Sequence, residues 1–509
     1  MNLWELLSQR AQEYGRKTFL LYRQEEISYE RLLAEVRRIA DGLFQLGISR
    51  GEKVCVWMEN RPEFIHLFFA VTSLDAVLVP LNPRYTLREV EYILQHSEAR
   101  SLILSDRFAQ MAREVEPRCP FLERVIVLGK ETQGDSISYD LLREKGDPRF
   151  WPPSVPDEAE AGIIYTSGTT GKPKGVVITH HNYMVNARMG SQGKKMDEQT
   201  RVLTCLPLVH VNAQVSSLLS ALYAGGSLVL LEAFHPKEFI PALARYRATT
   251  FAGVPTMYAI LLNTPNLEQY DLSPLTYCIS GGAPMSPDLL DRFEKAFHCR
   301  ILEAYGLTEA TALVSTNPPE GRRKIGSLGI PYEGVEMRIF NEQEEETPKG
   351  QVGEIVVRGE NIMKGYFKDP EATAEVLRGG WLHTGDMGYK DEDGFFFLAG
   401  RKKEMIIRGG VNIYPKEIED VLMTHPQILE AAVIGLPDSI WGERVHACIV
   451  PKEESLPSEE VIVFCRERLA DFKTPASISF HHDFPRTGAN KIQKTRLKEM
   501  ITEGTSDLI

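Results

Sequence analysis

Lys53-Val54-Cys55-Val56-Trp57, an apolar run over 62–74 that opens on Pro62, and Ala76-Val77-Leu78-Val79-Pro80 follow one another along the chain. Two short apolar runs flanking a segment of helical length predict strand, helix and strand. That is a βαβ unit, and with it a mostly parallel sheet. The alternation extends in both directions. Residues 29–46 carry Leu32, Leu33, Val36, Ile39, Ala40 and Leu43 on one broad helical face, and Gly47 stops that helix. Apolar runs at 101–105, 124–128 and 227–231 read as further strands.

From about Gly326 the character changes. Gly353-Glu354-Ile355-Val356-Val357-Arg358-Gly359 and Gly394-Phe395-Phe396-Phe397-Leu398-Ala399-Gly400 read as strands closed by glycines, the first alternating and therefore expected to keep a wet face. They predict a small β-rich subdomain. Beyond Arg401 an α+β pattern returns: a helix over 415–425, strands at 428–435 and 445–450, and a helix over 458–469. The expected fold class is α/β, with domains at 1–402 and 403–509 and the boundary near Lys403.

Composition narrows the function. A chain of 509 residues exceeds one ordinary core. Hydrophobic content of 43% with 25% charged residues is that of a soluble globular protein. No apolar run reaches the roughly 20 residues that span a bilayer. The start, Met1-Asn2-Leu3-Trp4-Glu5, lacks the basic and apolar regions of a signal peptide, so a cytoplasmic location is the expectation. A net charge of -12 without a long basic block argues against a nucleic-acid partner. Seven scattered cysteines, with no CxxC pair, indicate neither a disulfide frame nor a zinc site, and they read as small core residues.

One stretch speaks of chemistry. Tyr165-Thr166-Ser167-Gly168-Thr169-Thr170-Gly171-Lys172-Pro173-Lys174-Gly175 follows the strand-like Ala161-Gly162-Ile163-Ile164-Tyr165. Three glycines let the backbone turn and aim its N–H groups inward, while hydroxyls and two lysines add donors, a combination suited to a polyphosphate. The spacing of a Walker A loop is absent. A Ser/Thr/Gly-rich surface loop is the bland alternative.

The whole string resembles, position for position, the signature loop of the adenylate-forming superfamily, which includes acyl-CoA synthetases. The resemblance runs through nearly the whole chain. It implies a large N-terminal domain of mostly parallel sheets with a β-rich subdomain and a small mobile C-terminal domain. It also implies ATP, Mg2+ and CoA as cofactors, with a small-molecule carboxylic acid as the other partner. A homodimer is compatible with it.

Residue roles follow from the same resemblance. Ser167, Gly168, Thr169, Thr170, Gly171 and Lys174 would hold the phosphates, and Thr166 would add a hydroxyl to the metal. Ser280-Gly281-Gly282-Ala283-Pro284 resembles the adenine-side turn. Glu303-Ala304-Tyr305-Gly306-Leu307-Thr308-Glu309 is similar to the YGxTE motif, with Tyr305 stacked on adenine, Thr308 on the α-phosphate and Glu309 on Mg2+. A hard cation wants a carboxylate oxygen while ATP supplies most other ligands. Trp381-Leu382-His383-Thr384-Gly385-Asp386 resembles WxxTGD, where Asp386 meets the ribose. Gly400-Arg401-Lys402-Lys403-Glu404 resembles a segment in which Arg401 touches the nucleotide and Lys403 is the hinge, with Lys402 an ordinary surface cation. Pro485-Arg486-Thr487-Gly488-Ala489-Asn490-Lys491 matches PxTxxGK except that Asn490 replaces glycine. Asn tolerates positive φ, so Lys491 stands as the catalytic lysine, with Lys494 a weaker competitor. Gly409 and Gly410 would border the CoA channel.

Leu206-Pro207-Leu208-Val209-His210-Val211-Asn212 resembles LPxFH. His210 would sit beside the carboxylate or gate the CoA channel, its bland alternative being a hydrogen-bonded structural histidine. The acyl pocket implied is Val211, Asn212, Ser216, Gly281, Thr311, Ala312 and Leu313, with Gln214 adding polarity. Stretches 177–180, 381–397 and 471–475 look like bacterial carnitine/crotonobetaine-CoA and fatty-acyl-CoA ligases. Three readings result: an acyl-CoA synthetase, an adenylating enzyme that loads a carrier protein or amine, and a catalytically silent nucleotide-binding relative.

Overall fold

The computed structural model describes every residue except 130–133, 167–172, 284, 454–455, 487–491 and 504–509. The βαβ unit forms as expected: Lys53–Trp57, the helix Pro62–Ser73, and Val77–Leu81, the two strands pairing in parallel from Lys53↔Val77 to Trp57↔Leu81. Arg61 is extended ahead of Pro62, which opens the helix where no N–H is needed. Every residue of that helix except Glu63 is buried, which explains its lack of a polar stripe. The helix Tyr29–Gln45 is amphipathic instead. Ser28 caps it by accepting from the Arg31 N–H, an interaction worth about 1 kcal/mol.

Two large sheets result. One has eight strands in the order Gly365–Tyr366, Lys174–Thr179, Glu160–Thr166, Val77–Leu81, Lys53–Trp57, Ser101–Leu104, Arg124–Val127 and Ile137–Ser138. The other has nine, and its parallel centre runs Arg300–Tyr305, Tyr277–Ser280, Thr250–Gly253, Arg201–Thr204 and Ser227–Leu230. Antiparallel strands close the edges, among them the pair Glu160–Thr166 with Lys174–Thr179. Each sheet carries its own apolar core, one around Phe239, Phe251, Tyr258 and Phe293, the other around Trp57, Val79, Leu102 and Phe108.

The chain separates into two compact units, Met1–Glu336 with Arg358–Leu382, and Met337–Val357 with His383–Ile509. Lys403, where the sequence suggests a boundary, lies within the second. That unit contains the β-rich strands Gly353–Val357 and Phe396–Arg401 and a separate sheet built on Ile428–Asp438 and Gly442–Pro451. The wet face expected for 353–359 is corrected here. Positions 353–357 are all buried: both faces of this strand are covered, which alternation read over so few residues did not reveal. All seven cysteines are buried and free. No helix among the described residues is long and apolar enough to cross a membrane.

Candidate functional site

Parallel strands leave their carboxyl ends open on one side of a sheet, where ligands of such folds bind. Within the first unit, the strings at 280–283, 303–309 and 206–212 follow such strand ends. In the nine-stranded sheet Tyr277–Ser280 runs out into Gly281, Gly282 and Ala283, and its neighbour Arg300–Tyr305 runs out into Gly306, with Ser280 opposite Glu303 in the register. Gly282 holds φ +79°, a conformation that favours glycine. Glu303 is buried and its Oε2 accepts from the Gly326 N–H at 2.7 Å, so it braces the turn; Ala304 and Tyr305 are half-buried beyond it. Arg201–Thr204 leads into 205–210. In the other sheet Val77–Leu81 leads into Asn82, whose Nδ2 lies 3.4 Å from His210 Nε2. Asn60 adds a second tie, donating to the Leu206 carbonyl at 2.9 Å and accepting from the Leu208 N–H at 2.8 Å.

Thr166 and Lys174 face each other where the edge hairpin ends, and the Thr166 hydroxyl donates to the Lys174 carbonyl at 3.5 Å. Lys174 Nζ lies 3.8 Å from Asp369 and 5.0 Å from the Tyr366 ring centroid. Ser167, Gly168, Thr169, Thr170 and Gly171 lie outside the described residues, as do Pro284 and Lys491.

Thr308, Glu309 and Ala310 form a single tight turn that ends with Thr311 and Ala312 at φ +51° and +84°. Positive φ at a β-branched threonine is strained, and such strain persists only when neighbours impose it. They do so here. A Cβ on Gly306 would lie 1.5 Å from the Ala312 carbonyl oxygen, so only glycine lets the chain fold back this closely. Asn361 donates to the Leu313 carbonyl at 2.8 Å, and Asn186 Oδ1 accepts from the Leu313 N–H at 3.2 Å. The Tyr366 hydroxyl donates to Glu309 Oε1 at 2.8 Å. Burial, and then the Glu309 carboxylate, raise the Tyr366 pKa and keep it a donor. Tyr366 also pairs with Val176 on the strand that leaves the phosphate loop. One segment thereby ties the carboxylate to the base of that loop.

The residues expected to line an acyl pocket differ in exposure. Val211, Ser216, Thr311, Ala312 and Leu313 are buried, Gly281 is half-buried and Asn212 is exposed. Residues Ala213–Leu219 wind as a π-helix, an uncommon form that recurs at functional sites. Gln214 is fully engaged: it accepts from Tyr183 Oη at 2.7 Å and donates to the Leu208 carbonyl at 2.8 Å. It holds the π-turn. The Ser216 hydroxyl returns to the Asn212 carbonyl at 2.7 Å. Thr311 Oγ1 is buried with no hydrogen-bond partner among the described residues.

In the second unit Asp386 and Arg401 lie opposite each other in adjoining strands, and Arg401 Nε meets Asp386 Oδ1 at 2.8 Å. The aspartate side chain is 3% exposed and the arginine 52%, so the guanidinium shields the carboxylate from solvent. Lys402 reaches Glu354 at 3.4 Å, where His383 also lies at 3.3 Å. Lys403 is exposed in the short turn Lys402–Glu404. Gly409 and Gly410 hold φ +58° and +80° between Ile406–Arg408 and Val411–Ile413, the left-handed pair of a tight hairpin. A Cβ on Gly409 would meet Trp441 at 2.7 Å, whereas Gly410 faces open space. Lys494, the competitor of Lys491, is committed elsewhere, to Glu404 at 2.6 Å and Glu419 at 2.7 Å.

Tyr366, Asn361, Asn186 and Asn82 escaped sequence reasoning. Each acts through one hydrogen bond to a residue far away in the chain, and no local pattern marks such a partner.

Residues 7–367 match the profile of the AMP-binding enzyme family, and residues 417–491 match that of the AMP-binding enzyme C-terminal domain. The chain is 34% identical over 530 residues to the long-chain-fatty-acid–CoA ligase of Bacillus subtilis, covering 98% of this chain and 95% of the relative. It is 34% identical over 515 residues to the crotonobetaine/carnitine–CoA ligase of Citrobacter koseri, covering 98% and 99%. The crystal structure of an anthranilate CoA ligase in complex with anthranoyl-AMP superposes with a TM-score of 0.93 at 28% identity, covering 99% of this chain and 98% of that one.

Proposed function

The chain belongs to the AMP-binding enzyme family, and from that premise we propose how its residues divide the work of an acyl-CoA synthetase. The reaction is an ATP-dependent acid–thiol ligation. It forms an acyl-adenylate with release of pyrophosphate, then transfers the acyl group to CoA with release of AMP. In the first step a carboxylate oxygen attacks the α-phosphorus and pyrophosphate leaves. Both reactants are anions, so neutralisation and alignment carry the rate, and no protein nucleophile is needed. In the second step the CoA sulfur attacks the acyl carbonyl and AMP departs with the oxygen.

Thr308 and Lys491 are the groups we assign to the α-phosphate, with Lys491 neutralising charge in the first step alone. The residues 166–171 and Lys174 take the β- and γ-phosphates. Tyr305, Glu303, Ala304, Gly306, Gly282, Ala283 and Pro284 border the adenine, and Asp386 with Arg401 holds the ribose. No group of three or more His, Cys, Asp or Glu side chains suited to a metal occurs among the described residues. The lone half-buried carboxylate of Glu309, aimed by Tyr366, fits a Mg2+ whose remaining ligands are phosphate oxygens, water and the Thr166 hydroxyl. Such an ion would draw charge from the leaving pyrophosphate. His210 is assigned to the substrate carboxylate. Lys403 is assigned as the hinge between the parts 1–402 and 403–509, exchanging Lys491 for the Gly409-Gly410 turn before the thiol attacks.

The observation that supports this division is the tie from Glu309 through Tyr366 to the strand at the base of the phosphate loop. It ties the Glu309 carboxylate to the strand that follows the string we assign to the phosphates. The relatives' names supply fatty and carnitine-like acids as two classes to try first. The test is pyrophosphate release from ATP by the full-length protein with a panel of carboxylic acids, with and without CoA. At least one acid should release pyrophosphate alone and AMP plus thioester with CoA. Silence across short, long, aryl and zwitterionic acids refutes it.

A further inference from the structure

The helix His180–Gly193 ends at two adjacent lysines with opposite fates. Lys195 is exposed and pairs with Glu320, as a cation at a helix C-terminus ordinarily does. Lys194 is 1% exposed, and its Nζ has no hydrogen-bond partner among the described residues. Burial, the sole cause, pushes its pKa down to about 7. An unpaired buried ammonium strongly opposes folding, so its retention points to a counter-charge that the described residues do not supply.

Where Lys194 stands indicates what brings that charge. Asn186, Gly190 and Lys194 recur every four residues and so share one face of the helix. That face lies on the expected acyl wall. Asn186 Oδ1 accepts from the Leu313 N–H at 3.2 Å, and a Cβ on Gly190 would lie 3.1 Å from Leu313 Cδ1 and 2.1 Å from Ser220 Oγ. A Cβ on Gly193 would meet the Tyr332 ring at 2.5 Å. Gly190 thus brings the backbone against this wall, and Gly193 brings it against Tyr332. Lys194 is the first long side chain beyond them, about 12 Å along the axis from Asn186. Lys194 is the C-cap residue, and the tilt of helical side chains toward the N-terminus favours a stem that runs back toward Gly190. Ser217 Oγ and Thr311 Oγ1, from segments packed on the same face or next to it, are likewise buried without hydrogen-bond partners among the described residues.

We propose that the acid activated here carries a second anionic group, a carboxylate, at the end remote from the one that reacts with ATP, and that Lys194 is the residue that receives it. The inference rests on the acyl-pocket assignment above and deepens it. An apolar tail would leave the ammonium unpaired, and a quaternary ammonium tail would be repelled by it. Of the two substrate classes considered, neither a plain fatty acid nor a carnitine-like acid is matched, whereas an α,ω-dicarboxylate is.

The test uses the full-length enzyme and acids of matched length ending in methyl, carboxylate or trimethylammonium. ATP–pyrophosphate exchange and the shift in Tm given by each acid alone are measured for the wild type and for Lys194→Met, with Lys194→Gln as a second variant that retains hydrogen-bond donors. The wild type should favour the diacid in kcat/KM and gain Tm from it. Lys194→Met should raise KM for the diacid on the order of 10- to 100-fold, the worth of one charge-assisted hydrogen bond, abolish its Tm shift and reverse the preference toward the methyl-ended acid. Lys194→Gln should fall between. A wild type that prefers the methyl-ended acid, with both variants altering all three acids alike, overturns the inference and leaves the synthetase reading intact. Loss of exchange with every acid overturns the synthetase reading instead, and the Tm arm still decides whether Lys194 receives a carboxylate.

Discussion

Replacing Lys194 with Met should stabilise the protein, and by an amount that depends on pH in a calculable way. Methionine is unbranched and of similar length, so it fills the same space without the charge. The ammonium titrates near pH 7 in the folded protein against 10.5 for an ordinary lysine, a gap of about 3.5 units. At about 1.4 kcal/mol per unit this is a penalty of about 5 kcal/mol against folding when both states are protonated. The sign follows from proton counting. Between pH 7 and 10.5 the unfolded chain binds a proton that the folded chain has released, so wild-type stability rises with pH across that window. Below pH 7 the full penalty applies. The advantage of Lys194→Met is therefore largest below pH 7 and about 3 kcal/mol smaller at pH 9. Urea unfolding of both proteins at pH 6.5 and pH 9, without ligand, measures it, because the other titrating groups cancel in the difference. A difference independent of pH would mean that the ammonium is solvated or already paired, and the reasoning would fail.

Lys491→Ala should remove adenylate formation, at about 3–4 kcal/mol of barrier, while largely sparing thioester formation from a supplied acyl-adenylate. Lys494→Ala, which breaks ion pairs to Glu404 and Glu419, should lower stability without that selectivity; the reverse pattern would mean that Lys491 is misassigned. Glu309→Gln should shift the Mg2+ dependence of activity at fixed ATP to higher concentration, since an amide oxygen is a poorer ligand for a hard cation. An unmoved titration removes Glu309 from the metal. Lys403→Pro fixes φ near about -65° in the short turn Lys402–Glu404 and should depress thioester formation far more than pyrophosphate exchange; equal losses on one folded preparation would sink the hinge.

The sequence by itself carried the parallel α/β plan, because period and run length are local properties. The run 53–57, the apolar helix after Pro62 and the strand at 77–81 paired as written. The YGxTE-like turn and the WxxTGD-like strand were legible as strings for a related reason: each is contiguous, with its backbone needs, glycines above all, written beside its polar residues. Gly306 is an example, its close approach to Ala312 being set within seven residues.

What only the tertiary structure decided were partnerships between segments distant in the chain, and burial that contradicts local composition. Tyr366 finds Glu309 across 57 positions, Asn186 finds Leu313 across 127, and Asn82 finds His210 across 128. Gln214 reads as a polar wall of the pocket, yet both ends of its amide are already bonded. The strand at 353–357 alternates in sequence and is buried throughout, because cover on both faces outweighs a short pattern. Lys194 and Lys195 are the same residue type side by side in the sequence. One meets solvent and Glu320, the other is buried without a hydrogen-bond partner among the described residues, since solvation is a property of the surface a side chain reaches and not of its place in the chain.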